Sequence, residues 1–127
     1  MAENKGYIRS IDEKGSINIS EDVIAVIAAA AASEVEGVHG LFFSPGKELT
    51  NMLGRKGLSK GVKLLISGDD LTIDVYIIAD MGYSVSEVGA EIQKAVMSSV
   101  EAAVGVAISS VNVHICGVSL KKNKQGT

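Results

Sequence analysis

Leu71-Thr72-Ile73-Asp74-Val75-Tyr76-Ile77-Ile78-Ala79 decides the fold of this chain. Leu71, Ile73, Val75, Ile77 and Ala79 alternate with Thr72, Asp74, Tyr76 and Ile78. A period of two places one set on a core and the other on the opposite side of a sheet. Upstream, Gly68-Asp69-Asp70 reads as a hairpin turn, and Val62, Leu64 and Ile66 alternate with Lys63, Leu65 and Ser67. Downstream, Asp80-Met81-Gly82-Tyr83 leads into a helix. Ser84 and Glu87 have the spacing of a capping box, and Val88, Ile92, Val96, Val100 and Val104 step by four. Valine is a mediocre helix former, so this helix depends on packing. The last strand runs from Ile108 to about Val118, with Val111, Val113 and Ile115 inward and Asn112, His114 and Cys116 outward.

The first half of the chain repeats this plan weakly. Ser16 to Ile19 reads as a short strand, and Ser20 caps a helix with Glu21 and Asp22 in its first turn. Val23, Ile24, Ile27, Ala28, Ala31 and Val35 recur at helical spacing, and Gly37 ends the helix. The alanines leave a slim face that can approach a sheet closely. Val38 to Phe43 reads as another strand. Residues 44–61 are irregular, with a turn at Ser44-Pro45-Gly46 and two turns of helix expected around Glu48 to Leu53. The expected order is β-α-β-β-β-α-β, a two-layer α+β domain with both helices on one face of a mixed sheet. Residues 1–14 read as a flexible polar segment, 15–120 as the single domain and 121–127 as a polar tail.

The composition fits one domain: 127 residues, 46% of them hydrophobic. Twelve basic and 15 acidic residues leave a net charge of −3, which gives no whole-chain attraction to nucleic acid or anionic lipid. A single cysteine excludes an internal disulfide and points to a reducing cytoplasm. Met1 to Gly6 lack the pattern of a signal peptide. The most apolar stretch, Val23 to Ala32, is about half the length that spans a bilayer. Direct membrane insertion is therefore not expected.

Few residues are left over for chemistry. His114 and Cys116 share a strand face and His39 lies on another strand, but a metal site needs a further ligand. These read as ordinary strand histidines and a packed thiol, so no metal, cofactor or catalytic residue is assigned. The turn before Ser84 resembles an anion-binding helix start, but Glu87 is placed to cap it. Two surfaces are better candidates. Gly54-Arg55-Lys56-Gly57-Leu58-Ser59-Lys60-Gly61 is a glycine-rich basic stretch. With Lys63 it offers Arg55, Lys56 and Lys60 to an anionic partner. No aromatic residue is interleaved with these charges, which weighs against nucleic acid. The outward sheet face is less polar than a wet face should be. Leu65, Tyr76, Ile78 and His114, with Cys116 and Val118, suit burial against another copy or another protein.

Five stretches together resemble the alkaline-shock-protein family of bacterial envelope stress response proteins. They are Gly15 to Ile24, the Ala-Ala-Ser-Glu-Val-Glu-Gly-Val run of 31–38, Arg55 to Val62, Asp74-Val75-Tyr76-Ile77, and Ser110-Val111-Asn112-Val113 with Gly117-Val118. The resemblance covers residues 15–120. Short members like this one are similar to housekeeping paralogues found near fatty-acid and acetyl-CoA carboxylase genes. It implies a non-enzymatic cytoplasmic protein of Gram-positive bacteria that self-associates. The implied partners are a membrane-anchor protein or a fatty-acid-synthesis enzyme, which would hold the protein near the membrane. The expectation is an assembly or scaffold protein of the cell envelope. Its rival is a small regulatory module that contacts an acidic enzyme or RNA through the basic stretch.

Overall fold

The computed structural model describes residues 7–42, 61–68 and 70–120. Strands β1 (Tyr7–Asp12) and β2 (Gly15–Ser20) precede helix α1 (Glu21–Ser33). Strands β3 (Val38–Leu41), β4 (Val62–Ser67) and β5 (Asp70–Asp80) follow, then helix α2 (Val85–Val104) and strand β6 (Ser110–Ser119). The expected β-α-β-β-β-α-β order is present, with β1 added in front of it. The domain is α+β and its main sheet is mixed.

β5 is the axis of that sheet. On one side β6 runs parallel to it along Thr72–Asp80. On the other side two antiparallel strands share its length. β4 pairs with Asp70–Val75, and β3 pairs with Ile77–Ala79. Tyr76 marks the junction: its N–H donates to the Gly61 carbonyl, and its own carbonyl accepts from the Phe42 N–H, both at 2.8 Å. β3 and β4 therefore lie end to end along one edge of β5. The chain leaves the sheet after Phe42 and rejoins it at Gly61, beside the same residue.

The alternation of β5 sets the core. Ile73, Val75, Ile77 and Ala79 are fully buried, and Leu71 nearly so. Ile92, Val96 and Val100 of α2 and Ile24, Ala28 and Ala32 of α1 meet them from one face. Each buried branched side chain contributes roughly 1.5–3 kcal/mol by leaving water, which compensates for valine's poor helix propensity. The alanines at 24+4 and 24+8 let α1 lie close against α2 and the sheet.

Both helix starts are capped by the serines the sequence points to, without the return bond from the Glu87 side chain that a full capping box would add. The Ser20 hydroxyl accepts from the Val23 N–H, and the Ser84 hydroxyl from the Glu87 N–H, each at 3.4 Å. Gly105 ends α2 in the left-handed region at φ +76°. α1 ends sooner than expected. Its helical hydrogen bonding stops around Ala31 and Ala32, whose carbonyls accept from the Glu34 N–H. Gly37, at φ +98°, instead turns the chain into β3.

The N-terminal segment also differs from the loose stretch expected. Tyr7–Asp12 forms β1, paired antiparallel with β2 through a two-residue turn at Glu13-Lys14. The two strands make a separate ribbon and do not join the four-stranded sheet. The turn at Ser44-Pro45-Gly46, the helix around Glu48–Leu53 and the tail 121–127 lie outside the described residues.

Candidate functional site

The side of the sheet away from the helices carries the even-numbered row of β5: Thr72, Asp74, Tyr76, Ile78 and Asp80. Its middle is an ordered polar cluster. The Asp74 carboxylate accepts from Asn112 Nδ2 at 3.1 Å and from His114 Nε2 at 3.2 Å. The His114 ring stacks on Tyr76, with centroids 4.4 Å apart and planes 12° from parallel. Lys63 Nζ lies 5.6 Å from the Tyr76 ring centre on the other side, within cation–π range. Parallel pairing produces this arrangement, because Asp74 stands opposite Asn112 and Tyr76 opposite His114. Carboxylate, imidazole, phenol ring and ammonium thus hold one another in fixed rotamers across three strands.

Apolar residues flank the cluster. Leu65 on β4, opposite Thr72, is 63% exposed. Val118, expected on this face, is not part of it: the bulge at Cys116 sets it opposite the core residue Ala79, on the helix side, where it is 50% exposed. Ile78 is half-buried because it leans over β6: a Cβ on Gly117 would lie 3.3 Å from Ile78 Cδ1. A register shift between Ile77 and Ile78 leaves Cys116 as the extra residue on β6. Its thiol is exposed and reaches only its neighbour's backbone, the His114 carbonyl, at 3.7 Å.

One residue of this row was not legible as special. Asp80 occupies an outward position yet is 5% exposed. The irregular pairing of β3 brings His39 over it, and the imidazole Nδ1 lies 3.1 Å from the carboxylate. A buried carboxylate needs such a partner. Nearby, the Tyr83 hydroxyl donates to Glu36 at 3.3 Å. That carboxylate, reinforced by partial desolvation and by Asp80, holds the Tyr83 phenol above its usual value.

The residues anticipated for self-association, Leu65, Tyr76, Ile78 and His114, therefore share one face. Tyr76 and His114 form its rigid centre and Leu65 its most exposed apolar point. Of the anticipated basic residues, Lys63 belongs to this same face. Arg55, Lys56 and Lys60 lie outside the described residues. His39 and His114 do not meet, since each is held by a different aspartate. Among the described residues no group of three or more His, Cys, Asp or Glu side chains is placed to hold a metal ion. No helix among them is long and apolar enough to cross a membrane.

A two-layer α+β fold with both helices on one side of the sheet and a hydrogen-bonded, stacked polar cluster on the other is the class of protein these features define. The chain belongs to the alkaline shock protein 23 family, a family of cell envelope-related function, whose model matches residues 9–120. It is 36% identical over 106 residues to the uncharacterized protein YloU of Bacillus subtilis, covering 82% of this chain and 88% of that one. It is 38% identical over 109 residues to the uncharacterized protein Spy1535 of Streptococcus pyogenes, covering 85% and 82%. Among solved structures, the copper form of MamM CTD superposes with a TM-score of 0.49 at 20% identity, over 80% of this chain and 90% of that one.

Proposed function

We propose that this chain is a non-enzymatic, cytoplasmic scaffold of the cell envelope that works through self-association and protein partners. One observation carries the reading: the outer sheet face holds an ordered cluster that no element among the described residues covers. Tyr76, His114, Asp74, Asn112 and Lys63 fix each other's positions, while Leu65 stands 63% exposed beside them. A rigid, amphipathic centre next to an uncovered apolar side chain is the composition of a protein contact surface. Tyrosine contributes area there at little cost in conformational freedom. A membrane-anchor protein or a fatty-acid-synthesis enzyme is the partner class that the family resemblance suggests.

The test is sedimentation of the wild-type chain, Leu65→Lys and Ile78→Lys at micromolar to millimolar concentration. The wild type should associate, and each lysine variant should weaken association tenfold or more while keeping its circular dichroism spectrum. A strictly monomeric wild type sinks the self-association reading.

A second reading has its own observation. The chain rejoins the sheet at Gly61, directly beside Tyr76, and Lys63 follows on the same face. A contact with an acidic partner made by Arg55, Lys56, Lys60 and Lys63 includes, in Lys63, a residue of this surface. Such a contact weakens steeply with salt, because the Debye length falls from about 10 Å at 0.1 M to about 3 Å at 1 M. Glutamate at positions 55, 56 and 60 should remove a salt-sensitive partner without changing the self-association state.

A further inference from the structure

β6 bounds the sheet on the side away from β3 and β4. Among the described residues it pairs with β5 and with no other strand. An edge strand presents a row of N–H and C=O groups to any other strand, and natural edges are blunted by shortness, charge or proline. β6 is ten residues long, Ser-Val-Asn-Val-His-Ile-Cys-Gly-Val-Ser, with no lysine, arginine, aspartate, glutamate or proline. Among the described residues two features bear on this edge. Gln93 Nε2 of α2 donates to the Val111 carbonyl at 3.0 Å, and the bulge at Cys116 bends the strand.

A second observation lies on the helix side of the same strand. Val75 and Ile77 of β5 are fully buried, while Val113 and Ile115, their partners on β6, are only partly buried against the core. The helix layer covers the centre of the sheet and thins toward this rim.

We infer that β6 is a self-pairing edge, at which two copies of this chain join strand to strand, antiparallel, about a two-fold axis. Three features select a second copy as the occupant. A strand without charge meets its own copy without repulsion across the seam. An antiparallel pair is self-complementary, as a two-fold contact requires. Val113 and Ile115 of each copy would be brought beside those of the other, so a single contact completes both rims of the core. The two four-stranded sheets then continue into one another. The inference rests on the self-association reading and adds to it a seam distinct from the outer face.

The experiment compares the wild type, Leu65→Lys and the double variant Cys116→Lys with Val118→Lys. The double variant lines the seam of both copies with lysines at exposed positions of β6 and leaves the Asp74, Asn112 and His114 cluster intact. It should keep the wild-type circular dichroism spectrum and weaken association at least tenfold in sedimentation, with partial recovery in 1 M salt. Wild-type association in the double variant overturns the edge seam. If Leu65→Lys alone then dissociates the protein, the outer-face reading stands and only the edge fails. A wild type that stays monomeric removes both. Should the double variant not fold, amide exchange of the wild type decides. Among residues 112–118, the amides that face away from β5 should exchange at least tenfold more slowly in the associated protein than in the dilute one, and equal rates overturn the inference.

Discussion

At the scale of single residues, Gly37 on the connection from α1 to β3 and Tyr83 on the connection from β5 to α2 meet and carry more than their share. Gly37 adopts φ +98°, and a Cβ there would stand 2.7 Å from Val88 Cγ2 and 3.0 Å from Tyr83 Cγ. Gly37→Ala therefore meets both backbone strain and a clash. It should destabilise the protein by at least about 1–3 kcal/mol, read as a lowered urea midpoint at unchanged slope. A midpoint equal to wild type would show that the turn re-forms freely. Beside it, Tyr83 donates to Glu36, and that carboxylate raises the phenol's pKa above 10.0. A raised folded-state value means that the interaction favours the protonated form. Its contribution to stability is fully present below the unfolded value and is lost as pH rises through the higher folded value. Spectrophotometric titration of the three tyrosines should show a component above 10 that Tyr83→Phe removes. If the component persists in that variant, the perturbed phenol is another tyrosine.

At the scale of elements, α2 shows how packing overrides propensity. Val88, Val96 and Val100 face the core, and Gly89 sits in the first half of the helix. A Cβ on Gly89 would meet nothing within 4 Å. Glycine inside a helix costs about 0.5–1 kcal/mol relative to alanine, so Gly89→Ala should raise the thermal midpoint by a few degrees. A lowered midpoint would mean that the position serves a close approach. The legible elements were those with a strong period. β5, β4, β6 and α2 each repeat apolar residues over six or more positions, and their faces follow from the sequence. β1 lacks that signal: Tyr7-Ile8-Arg9-Ser10-Ile11-Asp12 is half polar, and it becomes a strand only by pairing with β2. The Asp12-Glu13-Lys14-Gly15 turn, with Gly15 at φ +128°, was the available cue. The end-to-end placement of β3 and β4 was also hidden, because nothing local in either strand tells that both bond to Tyr76. For the same reason the face was legible but its network was not. Asp74, Tyr76, Asn112 and His114 each read as outward, yet their contact depends on the register of a parallel pairing nearly forty residues apart in sequence. Asp80 read as an ordinary turn residue because its partner, His39, lies forty-one positions away.

At the scale of the molecule, the chain has one core and one appendage. The core joins α1, α2 and the four-stranded sheet through a continuous set of buried side chains. The β1–β2 ribbon shares little of it: Ile19 packs against its margin, while Ile11 and Ile17 are 68% and 62% exposed. The ribbon's ladder runs only between its own two strands. A lone two-stranded hairpin is at best marginally stable in water, so this ribbon borrows its order from Ile19 and from the start of α1. The main sheet borrows nothing from the ribbon in return. Removing residues 1–14 should therefore leave a protein that unfolds in one cooperative transition. Its stability should fall by less than about 2 kcal/mol, since Ile11 of the removed strand is 68% exposed while Ile19, which packs on the core, is kept. The urea slope should drop only slightly, because little surface is withdrawn from the buried set. Ile19 and the Ser20 cap remain in the shortened chain, so α1 keeps its start. Loss of the cooperative transition on this truncation would show that the ribbon belongs to the folding nucleus of the domain, and would place β1 among its structural elements rather than beside them.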